Sequence, residues 1–198
     1  MFIYYRNMRT KDENKIISIH NAIFDLGIEI GYQNLSIAKI AKKANVSPAT
    51  VYIYYKDKED MFSTLYLKVK DIIDSNLFQN VNSEQPFKLQ LETILKNHVQ
   101  AIMAYPKESV FMKYINSNPS LISKEAYEEG MKKAAYLYQL YEEGVEKQVI
   151  KNVSKELIIA ITFGPLNHLL EQHYYAQTKM SEEEINQTIE MSWDAIKA

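Results

Sequence analysis

Apolar residues recur at helical spacing along nearly the whole chain, and no segment alternates as a strand would. Ile16, Ile19, Ile23, Leu26 and Ile30 trace the first stripe, with Thr10 and Glu13 at capping-box spacing ahead of it. Ile37, Ile40, Ala41 and Ala44 give a second, short helix one apolar face, leaving Lys39, Lys42 and Lys43 off it. Asn45 stands where the chain must turn, and Asn tolerates a left-handed backbone better than most residues. Ser47 can cap a third helix with Pro48 at its first position, where a missing N–H costs nothing. Within that helix Val51 and Tyr55 point inward, with Val46 just ahead; Ala49, Thr50, Tyr52, Ile53 and Tyr54 are left outside.

Asp57 can cap a long helix in which Met61, Phe62, Leu65, Val69, Ile72 and Ile73 keep the period, fading near Asn80. Residues 84–105 form the next helix, ending before Pro106, and a short one at 107–116 stops where Pro119 bars helix at Asn118. A long helix is predicted from about Ser123 to Lys147. From Ser154, residues Leu157, Ile158, Ile161, Leu166, Leu169, Leu170 and His173 make a broad apolar face interrupted by Gly164 and Pro165. Ser181 and Glu184 start a last helix carrying Ile185, Thr188, Ile189, Ser192, Trp193 and Ile196. The chain reads as all-α, with about nine helices.

With 198 residues it can hold one small domain followed by a larger one. The absence of cysteine excludes disulfides and thiolate chemistry. No apolar run approaches membrane-spanning length, and MFIYYRNMRT lacks the layout of a cleavable signal, so a cytoplasmic location is expected with no membrane partner. The first seven to nine residues read as a disordered arm, from which Arg6 and Arg9 could reach phosphate or a minor groove. Charge is divided unevenly. Residues 1–60 carry nine Lys/Arg against seven Asp/Glu and the remainder 14 against 18, so the positive excess is N-terminal and small.

Residues 36–58, SIAKIAKKANVSPATVYIYYKDK, therefore have the pattern of a helix-turn-helix. A second helix that exposes small, hydroxyl and aromatic groups beside lysines suits a DNA major groove. No Arg, Lys, Asn or Gln lies between Ser47 and Tyr55, so the strong bidentate pairs to guanine or adenine are missing from this helix. Sequence reading must then lean on thymine methyls, van der Waals fit and DNA shape.

From about Lys11 to Leu67 the chain resembles the DNA-binding domain of the tetracycline-repressor (TetR) family of bacterial transcription regulators. The resemblance rests on the amphipathic first helix, NLSIAKIAKKANVS, and the ATVYIYYKDKEDMF run. Asn45 stands where the family usually has Gly, and Ile53 and Tyr55 where His and Phe are common. The resemblance implies a helix-turn-helix domain at 1–56 and an effector-binding and dimerisation domain at 57–198. It implies that Thr50, Tyr54 and Lys58 hold phosphates, with Ser36 and Ser47 adding contacts, while Pro48, Ala49, Tyr52 and Ile53 face bases. A homodimer through the helices at about 154–177 and 182–196 is expected to bind a palindromic or pseudo-palindromic double-stranded operator. Its expected role is that of a repressor released by a small hydrophobic or aromatic effector.

Eight of the 15 tyrosines follow residue 100. Met103, Tyr105, Phe111, Met112, Tyr127, Tyr138 and His168 are the candidate lining of an effector pocket. Two other classes compete: a helical metal-dependent or ligand-transforming enzyme, and a helix-turn-helix interaction module that has lost DNA binding. His168 and Glu171 share a helical face that His98 could approach, but no phosphate-cradling loop or nucleophile motif accompanies them. No catalytic residue, metal site or cofactor is assigned.

Overall fold

A computed structural model describes the backbone of residues 2–198 and the side chains from Glu13 onward. Arg6, Arg9 and the Thr10 hydroxyl, assigned above to an arm and a capping box, lie outside the described side chains. The described residues form ten α-helices and no strand: α1 (Phe2–Ile30), α2 (Ile37–Lys43), α3 (Pro48–Tyr54), α4 (Lys58–Asp74), α5 (Phe87–Ala104), α6 (Pro106–Ser117), α7 (Lys124–Lys132), α8 (Ala135–Glu146), α9 (Lys155–Tyr175) and α10 (Glu182–Ile196). None is long and apolar enough to cross a membrane.

Three boundaries differ from the sequence reading. The α1 backbone is helical from Phe2, ahead of the expected start at Thr10; no Gly or Pro interrupts residues 2–26. α4 stops at Asp74 and the chain passes through turns to Asn80, which has a left-handed backbone (φ 60°). The helix expected over 123–147 is two helices. Ala134 stands where an apolar residue belongs, so the period runs through a break that the pattern cannot show. The chain turns at Lys133–Ala134, where the Lys133 ammonium pairs with Asp71.

The structure divides into two compact units, Met1–Val69 with Lys107–Glu128, and Lys70–Pro106 with Glu129–Ala198. In the first, Ile19, Ile23, Ile40, Ala41, Val51, Met61, Phe62 and Leu65 are buried, so α1 and α4 brace the short pair α2 and α3. Phe111 of α6 joins this core. It is fully buried, with ring centroids 5.8 Å from Phe24, 5.4 Å from Tyr32 and 5.8 Å from Phe62, the edge-on arrangements that aromatic quadrupoles favour. Lys107 pairs with Asp25 at 2.6 Å, a second tie between α6 and α1. The Tyr32 ring lies so close to Gly27 that a Cβ on Gly27 would overlap it, which explains a glycine near the end of a helix.

In the second unit, Leu91, Ile94 and Leu95 of α5 pack with Leu137, Leu140 and Tyr141 of α8, Ile158, Leu166 and Leu170 of α9, and Ile189 and Ile196 of α10. Ser154 caps α9, and Ser181 with Glu184 forms a complete capping box on α10. α9 continues through Pro165, and a Cβ on Gly164 would meet nothing within 4 Å. Among the described residues no other helix comes close to Gly164.

Candidate nucleic-acid interface

The turn between α2 and α3 is built by its backbone. Val46 N–H donates to Ala41 O at 2.9 Å and Asn45 N–H to Lys42 O at 3.2 Å, a Schellman closure with Asn45 at φ 55°. Ser36 caps α2 by accepting from Lys39 N–H at 3.3 Å. Ser47 caps α3 by accepting from Thr50 N–H at 3.1 Å, and the two hydroxyls share a further hydrogen bond of 2.9 Å. The Ser47 cap is the one the sequence pattern leads to. Val51 and Tyr55 are buried, and opposite them Tyr52 and Ile53 stand 57% and 76% exposed. Pro48 and Ala49 are exposed and Thr50 and Tyr54 half-buried, so α3 presents a continuous surface.

Tyr55 is anchored from α1. His20 Nε2 and Tyr55 Oη share a buried hydrogen bond of 2.8 Å, which fixes the end of α3 against α1. Burial, helped by the charge of Lys68, lowers the His20 pKa to about 4, and burial raises that of Tyr55 to about 12. The folded state thus keeps His20 neutral while the unfolded chain protonates it near pH 6.5. Stability contributed by neutral His20 is present above that value and falls as pH drops toward 4, by up to about 3 kcal/mol. Urea denaturation at pH 7.5 and pH 5 should show this loss, and His20→Gln should flatten it. An equal pH slope in the variant would assign the effect elsewhere.

The lysines divide sharply. Lys39 donates to Asn34 O at 2.9 Å and Lys43 pairs with Glu29 at 2.5 Å. Lys58, expected on a phosphate, is turned inward: its ammonium donates to Leu35 O at 2.9 Å and to Tyr32 O at 3.4 Å, and lies 5.2 Å from the Phe62 ring centroid. Burial lowers its pKa. Lys42 and Lys56 are exposed. The sequence reading placed Lys42 off the apolar face of its helix but assigned neither lysine to the DNA; Lys56 follows the buried Tyr55.

The residues expected to line one effector pocket do not converge. Phe111 belongs to the aromatic core of the first unit, where Met112 is also buried and Tyr127 half-buried. In the second unit Met103 and Tyr105 are exposed, and His168 lies on the α9 surface bonded to Gln172 at 3.1 Å. His98 instead meets the neighbouring Asn167 at 2.7 Å, its ring edge-on to Phe163 at 4.8 Å. Burial lowers the His98 pKa while the Asn167 bond opposes that shift. An open cavity of about 260 Å³ is lined by Tyr141, Val145, Val153, Lys155 and Ile158 among others, and includes none of the seven expected residues. Tyr138 lies beside it, under the Lys155 ammonium at 5.7 Å. No group of three His, Cys, Asp or Glu suited to a metal ion occurs among the described residues.

Residues 19–65 match the family described as bacterial regulatory proteins, tetR family, and residues 86–197 match the tetracyclin repressor-like C-terminal domain. The chain belongs to the TetR family. It is a DNA-binding transcriptional regulator. TetR-family regulators bind DNA operators and usually act as dimers with small-molecule effectors. An uncharacterized HTH-type transcriptional regulator of Haemophilus influenzae is 22% identical over 167 residues, covering 84% of this chain and 87% of that protein. A TetR family regulator from Marinobacter aquaeolei VT8 superposes with a TM-score of 0.82 at 24% identity, covering 96% of this chain and 98% of that one. The regulator FadR from Bacillus subtilis, solved in complex with stearoyl-CoA, superposes with a TM-score of 0.67 at 20% identity over 91% of this chain and 98% of that one.

Proposed function

We propose that this TetR-family chain is a cytoplasmic, non-enzymatic repressor that binds a pseudo-palindromic operator as a homodimer and leaves it when a small hydrophobic effector binds. Residues 1–56 act as the DNA reader and 57–198 carry the effector and dimer functions. The observation that carries the reading is the outer face of α3. A helix capped by Ser47 and anchored by Val51 and Tyr55 leaves Tyr52 and Ile53 in solvent, with no long polar side chain beside them. Such a face reads thymine methyls and groove shape. Thr50 and Tyr54 flank it as phosphate contacts, with Ser36 and Ser47 at the two helix starts and Pro48 and Ala49 closing against the bases. Lys42 and Lys56 supply the phosphate charge that Lys58 does not.

Dimerisation through α9 and α10 is supported by apolar groups in solvent: Leu157 and Tyr175 on α9, and Met191, 73% exposed, on α10. The open space at Gly164 suits a helix from a second copy. An apolar effector with one polar handle fits the second unit, whose leucine- and isoleucine-rich interior is flanked at Phe163 by the half-buried His98, bonded to the exposed Asn167. The Bacillus FadR was solved with stearoyl-CoA, whose acyl chain is apolar. Its binding would displace α4, which runs unbroken from Lys58 to Asp74, and α3 with it.

The test is the salt dependence of DNA binding. Lys42→Ala with Lys56→Ala should lower the slope of log K against log salt by about two per subunit and weaken binding to all duplexes alike. An unchanged slope would remove these lysines from the interface, and a wild-type protein that binds no DNA would end the reading.

A further inference from the structure

Lys58 occupies a costly position. It is the first residue of α4, where the helix dipole disfavours a cation, and Glu59 and Asp60 follow it with the charge that end prefers. Its ammonium has three N–H groups. Two are directed at Leu35 O and Tyr32 O, and the nitrogen also lies 5.2 Å from the Phe62 ring centroid, so its bonding capacity is committed within the protein. The segment it holds starts at Gly31, whose φ of 83° suits glycine, and leads directly into Ser36, the cap of α2. The Asn34 carbonyl in the same segment accepts from Lys39 at 2.9 Å, so two ammonium groups gather the carbonyls of one bend.

We infer that Lys58 is a positioning residue that fastens the first turn of α4 to the bend ahead of α2, so that α2 and α3 follow α4 when it moves. It acts on DNA through this strut and carries no phosphate. The inference rests on the DNA-reading role proposed above and assigns the element that couples α4 to the reader. A displacement of α4 that kept the Lys58 bonds would drag the Tyr32–Leu35 bend, and the cap of α2 with it. A displacement that broke them would leave the Leu35 carbonyl without its ammonium partner in a half-buried site, an unfavourable state.

The test uses a duplex enriched from a random pool by the wild-type protein. Lys58→Met should weaken binding about tenfold while changing the salt slope by less than about half a unit per subunit, because no counterion-releasing contact is lost. Lys58→Arg, which keeps donors for both carbonyls, should recover most of the affinity. A slope reduced by about one per subunit would make Lys58 a phosphate contact and overturn the strut. Lysine acylation of the wild-type protein gives a second reading that needs no variant to fold. Adding the duplex should slow Lys42 and Lys56 and leave the Lys58 rate unchanged; DNA protection of Lys58 would overturn the inference. A wild-type protein that enriches no duplex fails earlier, at the DNA-reading role, and the inference falls with it.

Discussion

Phe111→Ala destabilises the first unit by about 3–5 kcal/mol, the cost of emptying a fully buried phenylalanine site. The site is shared by α1, the Tyr32 turn, α4 and α6, and the ring makes three aromatic contacts there, each contributing about 0.5–1.5 kcal/mol beyond its buried area. Phe24 and Phe62 lie on α1 and α4, which also carry Ile23 and Leu65 of the buried core of this unit. DNA binding is therefore expected to be lost at temperatures where the wild type still binds. The chain has a single tryptophan, Trp193, in the second unit, so its fluorescence reports that unit separately. Denaturation followed by tryptophan emission and by operator binding should separate in the variant. Coincident curves with wild-type midpoints would show that Phe111 has no such role.

Tyr52→Ala combined with Ile53→Ala should sharply weaken sequence preference and leave the fold intact. Both side chains are mostly in solvent, so their removal exposes no core. Each is expected to face a base position at which a wrong pair costs about 1–3 kcal/mol, so the ratio of specific to nonspecific affinity should fall about 100-fold. Nonspecific binding and its salt slope should remain at wild-type values, because neither residue carries charge. A competition assay against random duplex measures the ratio directly. Retained preference would move recognition off α3.

The helix-turn-helix was legible in the sequence because its constraints are local. Asn45 at the turn, Ser47 and Pro48 at the helix start, and Val51 and Tyr55 four apart each act within one or two turns of chain. The Schellman closure at Asn45 and the Ser47 cap follow directly from them. The capping boundary at Ser181 was legible for the same reason. The pocket lining was not. Phe111 and Tyr138 have the same apolar helical spacing, yet one is in the aromatic core of the first unit and the other sits under Lys155 in the second. That distinction depends on contacts between residues far apart in the chain, such as Phe111 with Phe62 and Tyr32, which periodicity does not encode. Lys58 shows the same limit at a single residue. Its place in the motif suits a phosphate contact, and its direction was decided by two carbonyls more than 20 residues earlier. The break at Lys133–Ala134 was hidden because alanine serves equally in a helix and in the turn that ends one.

The central claim is that α3 reads DNA by methyl contact and shape. Selection of bound sequences from a random duplex pool by the wild-type protein tests it most directly. The account predicts an inverted repeat whose half-sites are rich in A·T pairs, with no invariant guanine under α3. Enrichment of GC-rich half-sites with invariant guanines at those positions, or of no sequence at all, would contradict it.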